Sequence, residues 1–360
     1  MAKERKKHPS SYDLAEELGL MALTPSQFIR HAMHCARTKK TLGVIGRPGV
    51  GKTELIAQVS EQISYQLIPE RLNGRDPTDM GLPYIYEDNH GSRRHAWSIP
   101  NWFLHKEDTI PEGYNGRTIF FDELAQAYPA MQNRVGEVMN ERSLNNEPMH
   151  DNTWVVWAAN FAQDKAATYP TPRQILNRSS VVVLVPSLED TMAEASRRQI
   201  RPELMAFMKL FPETLDSYDP DAMVNCTPRS IFSLSPLMDK QPAADEELAL
   251  YSSCIGKGFG AQLVGFLRTY RDLPKLSSIV SCPMKEPTPD EDKTDVMCAL
   301  AAMLGRALTV QNAAPIIQYL QRIPIEYCVF ALREAALRDS ALMNCAAMKN
   351  WVLKHGSVLI

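Results

Sequence analysis

Apolar residues return every three or four positions in TPSQFIRHAMHCARTKK, at Phe28, Ile29, Ala32, Met33 and Ala36, which predicts an amphipathic helix with Thr24 or Ser26 as its cap. The run Thr41–Ile45 that follows has no polar face and predicts a buried strand. Helical spacing then resumes at Leu55, Ile56, Val59, Ile63 and Leu67, so a strand and a helix flank a glycine-rich stretch. Three further apolar runs read as strands, Arg117–Phe121, Thr153–Asn160 and Ser179–Val185, with a helix over PAMQNRVGEVMNERSL between the first two. Short apolar strands separated by helices predict an α/β fold with a parallel sheet covered on both faces.

Between about Asn73 and Gly116 the chain is polar and rich in turn residues, which predicts an excursion from this core. Beyond Pro186 strand signals fade and helical ones dominate, as in LEDTMAEASRRQI and RSIFSLSPLMDK. The proline-rich acidic run KEPTPDEDK breaks the helical part. A last block, Thr294 to Lys354, carries an apolar stripe at Leu300, Met303, Leu304, Ala307 and Leu308 that reads as core.

Composition narrows the classes. The 360 residues suggest two or three domains, and 44% hydrophobic with 22% charged residues is that of a folded protein. A net charge of -3 offers nucleic acid no global basic field, so any such contact has to be local. The seven cysteines are scattered, without a paired or metal-ligand spacing, and read as reduced thiols. The start, MAKERKKHPSSYD, is basic but leads into no apolar segment, and no run approaches the ~18 apolar residues of a membrane span. These features predict a cytoplasmic protein without membrane insertion, whose basic N-terminal arm is a solvated tail or a weak partner contact.

Chemistry concentrates in GRPGVGKT. Gly46, Gly51, Lys52 and Thr53 satisfy G-x-x-x-x-G-K-[ST] in the required context, after a strand and before a helix. The loop Gly46, Arg47, Pro48, Gly49, Val50, Gly51, Lys52, Thr53 and Glu54 is therefore the candidate phosphate cradle. Its backbone N–H groups turn inward, Lys52 reaches the β and γ oxygens, and the Thr53 hydroxyl can ligate Mg²⁺. Asp122, ending a buried strand, is the candidate partner of Thr53 on the metal, and Glu123 the candidate that polarises an attacking water. Asn160, ending another strand, could orient that water, although an Asn there is more often a turn former.

This ordered set resembles the AAA+ ATPases, and among them the MoxR branch. Gly81-Leu82-Pro83, the helix Met131 to Arg142 and the stretch Ala167 to Arg178 appear in the order of that branch, and the similarity spans about Thr24 to Leu237. Phe161 departs from the branch, which commonly has Pro after the sensor Asn; this leaves the Asn in place and the loop shape open.

The resemblance implies an AAA+ P-loop core over residues 23–185 after a basic tail at 1–22, with an insertion at about 76–100. A helical lid over 186–285 and a further helical region over 294–360 would follow. It implies ATP and Mg²⁺ as ligands, and a homo-oligomeric ring, usually a hexamer, that remodels a client protein in a chaperone-like way. A partner with a von Willebrand factor A domain is typical of the branch. Arg178 would be the finger that reaches a neighbour's ATP, with Arg173 or Arg142 as substitutes, and Arg229 the lid arginine that touches nucleotide in its own subunit.

The insertion, with Arg93, Arg94 and Trp97, would face the pore or a partner, or be a solvated tip. Two rival readings stand beside this one. A nucleic-acid machine, either a helicase loader or a DNA translocase, would draw on Arg93, Arg94, Arg197, Arg198 and Arg201. A nucleotide-gated scaffold would bind ATP without working turnover, against which Glu123, Asn160 and Arg178 argue.

Overall fold

The apolar runs become neighbouring strands because each has two buried faces and no edge it could leave in water. The computed structural model describes residues 8–164, 169–240, 242–271 and 273–355, with backbone alone for Asp295. The chain divides into two compact units: the described residues up to Pro186 together with Tyr218–Pro220, and the remainder from Ser187 onward.

In chain order the first unit comprises α1 (Ser11–Glu17), β1 (Met21–Leu23), α2 (Pro25–Arg37), β2 (Leu42–Ile45), α3 (Lys52–Gln62), β3 (Tyr65–Arg71), β4 (Pro83–Glu87) and β5 (Arg93–Trp97). It continues with β6 (Gly116–Asp122), α4 (Pro129–Glu141), β7 (Ser143–Leu144), β8 (Glu147–Pro148), β9 (Thr153–Ala159), α5 (Arg173–Arg178) and β10 (Ser180–Leu184). Six strands form one sheet in the order β1-β10-β2-β9-β6-β3, and every pairing in it is parallel. Registers are set by the apolar pattern: Ile45 lies opposite Ala159, and Phe121 opposite Trp157.

Alternation along β9 divides the core. Trp154, Val156 and Ala158 pack with Phe28 and Ala32 of α2 and Ile56 and Val59 of α3. Val155, Trp157 and Ala159 pack on the opposite face with Met131, Val135 and Val138 of α4. Trp157 lies flat against β2, where a Cβ on Gly43 would stand 2.2 Å from its ring, so only glycine admits the indole. The Trp157 Nε1–H donates to Ser179 Oγ at 2.9 Å, which keeps the buried indole satisfied.

Two expectations are corrected here. The basic tail was expected to run through residue 22, but from Ser10 the chain is ordered. Ser10 caps α1 in a reciprocal box with Asp13, Leu14 and Ala15 are buried, and β1 extends the sheet against β10. Met1–Lys7 lie outside the described residues. The helix read through Leu67 ends at Gln62, because Ser64 adopts a left-handed conformation (φ 56°) and the chain turns into β3 along β6. Pro69 is compatible with that strand because β3 is an edge.

The excursion contains an antiparallel hairpin of β4 and β5, with Tyr84, Ile85, Tyr86 and Trp97 exposed.

The second unit is helical: α6 (Leu188–Arg197), α7 (Pro202–Leu210), α8 (Pro228–Asp239), α9 (Glu247–Ile255) and α10 (Lys257–Arg271), then α11 (Leu276–Ser281), α12 (Thr294–Ala307), α13 (Ala313–Leu320), α14 (Ile325–Arg338) and α15 (Ala346–His355). One hydrophobic cluster runs from Met192 to Trp351, so the helical stretches on either side of KEPTPDEDK share a core. α12 packs against α7 and α14. Among the described residues no helix is long and apolar enough to cross a membrane.

Candidate nucleotide site

Parallel strands expose their carboxyl ends along one edge of a sheet, and the loops that leave those ends meet there. The registers of β2, β9 and β6 bring Gly46, Asn160 and Asp122 to that edge. Gly46 continues the pairing, its N–H donating to the Ala159 carbonyl at 3.2 Å. A Cβ on Gly46 would lie 2.9 Å from the Leu184 carbonyl, so the loop can leave β2 this closely only as glycine. At the far end of the loop Gly51 caps α3 in a left-handed conformation (φ 100°), so the helix N-terminus opens directly off the loop. A helix N-terminus with that geometry attracts anions.

Lys52 is buried, and its ammonium donates to the carbonyls of Gly46 (2.7 Å) and Arg47 (3.1 Å) and to Asn160 Oδ1 (2.8 Å). One residue on, Thr53 Oγ1 donates to Asp122 Oδ2 at 3.4 Å. The other carboxylate oxygen of Asp122 accepts the Glu123 N–H at 2.9 Å. Glu123 itself is left-handed (φ 60°), a conformation uncommon for a residue other than glycine or asparagine, and it turns the chain sharply out of β6. Gln132 of α4 is buried and donates to the carbonyls of Leu124 and Ala127, supporting that turn.

Thr53 and Asp122 offer two hard oxygen donors side by side. Among the described residues no cluster of three or more His, Cys, Asp or Glu could hold a metal alone. That donor set fits Mg²⁺, which commonly takes one or two protein oxygens and completes its shell with phosphate and water.

The remaining loop residues behave differently. Pro48, Gly49 and Val50 form the partly exposed crown, and Glu54 points outward from the first turn of α3. Arg47 is buried instead of facing the cradle, and its guanidinium donates to Asp164 Oδ1 and to the Tyr218 and Pro9 carbonyls. Phe161, where the resembled branch has Pro, is buried with Leu14, Ala15, Val183 and Val185, so an aromatic anchor shapes the loop after Asn160. Neither Asp164 nor Pro9 carries a sequence signal for this site, since they lie far along the chain from Arg47.

Of the arginines expected from resemblance, those of the first unit, Arg178, Arg142 and Arg173, are not gathered at this edge. Arg178 ends α5, is exposed and donates to the Asn140 carbonyl at 3.2 Å. It precedes Ser180, which pairs with Leu42 at the beginning of β2, the end opposite the phosphate loop. Arg142 is left-handed and donates to the carbonyls of His150, Asp151 and Thr153, and burial lowers its pKa from the ordinary arginine value. Arg173 opens α5 and is exposed. Arg229 is exposed in the first turn of α8, in the helical unit, behind a Thr227–Ser230 capping box. Ala167 and Thr168 of the stretch leading to Arg178 lie outside the described residues.

Residues 42–192 match the family model described as the AAA domain (dynein-related subfamily). This segment begins at β2 and contains the phosphate loop, Asp122, Glu123 and Asn160, and the fold is an AAA+ P-loop α/β core with a following helical region. No curated protein matches the chain. Solved structures to which the chain shows similarity include a presumed ATPase from Cytophaga hutchinsonii, 12% identical, covering 90% of this chain and 84% of that one with a TM-score of 0.36. NtrX from Brucella abortus is 16% identical over 63% of this chain and 55% of its own, TM-score 0.38. A second structure of that protein, in complex with ADP, is 13% identical over 93% and 68%, TM-score 0.37.

Proposed function

We propose that this protein is a Mg²⁺-dependent ATPase of the MoxR-like kind, which assembles into a ring and uses hydrolysis to remodel a client protein. The observation that carries the reading is the convergence of Lys52, Thr53, Asp122, Glu123 and Asn160 on the carboxyl edge of one parallel sheet, around a helix N-terminus.

In this account the loop N–H groups and Lys52 hold the phosphates, Lys52 exchanging carbonyl acceptors for phosphate oxygens. Mg²⁺ held by Thr53 and Asp122 would supply positive charge against the developing negative charge. The Glu123 carboxylate accepts a hydrogen bond from the attacking water and takes its proton as the oxygen bonds to the γ-phosphorus and the bridging bond to ADP breaks. Asn160, already bonded to Lys52, orients that water.

The exposure of Arg178 and its place beside the opposite end of β2 support a role in trans, completing a neighbour's site in a ring. Arg229 would touch nucleotide from its own helical unit. A client, with or without a von Willebrand factor A-domain partner, would meet the exposed aromatic hairpin.

The nucleic-acid reading is weaker, because the arginines it needs are offset in place. Arg93 faces Glu87 at 3.9 Å and Arg94 pairs with Asp88 at 2.6 Å; Arg197 and Arg198 share Glu194, and Arg201 meets Glu203 and Asp239. Affinity capture on a Glu123→Gln variant charged with ATP tests the proposal. Specific retention of a protein client supports it; retention of nucleic acid alone, with a steep salt dependence, contradicts it.

A further inference from the structure

Two separate contacts join the phosphate loop to the segment that follows Asn160. The first is Lys52, whose ammonium bonds to the Gly46 and Arg47 carbonyls on one side and to Asn160 Oδ1 on the other. The second is the side chain of Arg47, which reaches Asp164 Oδ1 at 3.4 Å with both groups almost fully buried. Asp164 ends the short turn Ala162–Asp164, four residues beyond Asn160, and the turn is held by its own N–H on the Phe161 carbonyl at 3.1 Å and by Phe161 in the core against α1. The loop and the Asn160 segment are thus rails joined by two rungs.

The same guanidinium braces two more stretches. It donates to the Tyr218 carbonyl at 3.3 Å and to the Pro9 carbonyl just ahead of α1, and it lies over the Tyr218 ring at 5.2 Å. His8 and Asp219, next to these partners, approach within 3.3 Å of each other. A planar guanidinium can serve such divergent acceptors at once, which an ammonium on a flexible stem cannot reproduce. Burying an arginine this far costs free energy unless geometry is good, and a loop residue that had only to contact phosphate would have no use for it.

We propose that Arg47, with Asp164, is a positioning pair for turnover: it fixes the separation between the phosphate loop and Asn160, so that Lys52 and Asn160 keep their relation while the phosphates react. The proposal rests on the reading of this site as an ATPase, and it gives the Arg47 side chain a task away from the nucleotide. Binding depends on the backbone N–H groups and Lys52, which remain when Arg47 is shortened. Turnover depends on where Asn160 stands.

The test compares Arg47→Ala, Asp164→Asn and the double variant with wild type in steady-state ATPase assays, with ATP affinity from calorimetry and folded fraction from thermal melts. The expected result is ATP affinity within about threefold of wild type, kcat per folded molecule lower by about tenfold or more in each single variant, and a double variant no worse than the poorer single. Arg47→Lys, which keeps a charge opposite Asp164 but not the fork to the Tyr218 and Pro9 carbonyls, should recover only part of kcat and serves as the second variant if Arg47→Ala does not fold. A merely structural role predicts lower melting temperature with unchanged kcat per folded molecule; that result, or additive losses in the double variant, overturns the pairing. Wild-type protein that fails to bind ATP would instead defeat the ATPase reading itself, which the calorimetry reports before any variant is compared.

Discussion

Lys52 Nζ donates to Asn160 Oδ1 at 2.8 Å, joining the first residue of α3 to the residue that follows β9. In the proposed mechanism this bond makes Asn160 part of the phosphate site without requiring it to touch phosphate. Asn160→Ala should therefore lower kcat by on the order of 10²-fold, comparable to losing one preorganised polar group, with a small change in KM. Steady-state kinetics check this, and an effect confined to KM would return Asn160 to the role of a turn former.

Glu123→Gln keeps the volume and the left-handed turn but removes the carboxylate that would take a proton. ATP binding should persist while turnover falls by about 10²-fold or more. Radiolabelled ATP retention and phosphate release separate the two quantities; parallel loss of both would move the general base elsewhere.

Gly43 tests the fold that positions the site. A Cβ there would sit 2.2 Å from Trp157 Cζ2, between two strands of the central sheet. Gly43→Ala should destabilise the protein by about 1–3 kcal/mol through overpacking, measured by denaturant unfolding, whereas Gly265→Ala, where nothing lies within 4 Å, should be close to neutral or stabilising.

Glu334 of α14 lines a small cavity with Arg306, Arg338 and Phe330, and burial raises its carboxyl pKa to about 7, with Lys209 and Arg333 opposing the shift. A folded-state value above the ordinary 4.5 means the folded protein holds the proton more tightly than the unfolded chain. Its contribution is fully present below about pH 4.5 and is lost as pH rises toward 7. Glu334→Gln should flatten that part of the curve of melting temperature against pH; an unchanged slope would mean the carboxyl titrates alike in the folded and unfolded protein.

The phosphate loop and the ends of β6 and β9 were legible in the sequence because each follows a short apolar run with a special residue at its end. The structure brings Lys52 within hydrogen-bond reach of Asn160, and Thr53 within reach of Asp122. β3 was not legible: Ile63 and Leu67 continue the helical period, and a left-handed Ser64 leaves no mark in the pattern. α1 is not legible in the sequence because a helix of seven residues shows little periodicity, and its burial depends on Phe161 and Val183 from distant segments. The Arg47–Asp164 contact spans 117 positions and reflects tertiary placement alone.

Assembly is tested by mixing. Arg178→Ala should bind ATP yet turn it over poorly, and combining it with Glu123→Gln protein should restore part of the activity, since a mixed interface joins an intact carboxylate to an intact arginine. Recovery should rise with protein concentration. Its absence in demonstrated mixed assemblies would shift the finger to Arg173, because the Arg142 guanidinium is occupied with backbone carbonyls.

The central claim, that the loop from Gly46 to Thr53 holds ATP through Lys52, is tested most directly by titrating ATP into Lys52→Ala protein by calorimetry. Lys52 donates its hydrogen bonds to polar partners, the Gly46 and Arg47 carbonyls and Asn160 Oδ1, so the variant should melt within a few degrees of wild type while its Kd rises by about 100-fold or more. Binding of ATP at wild-type strength by a folded Lys52→Ala protein would contradict the account.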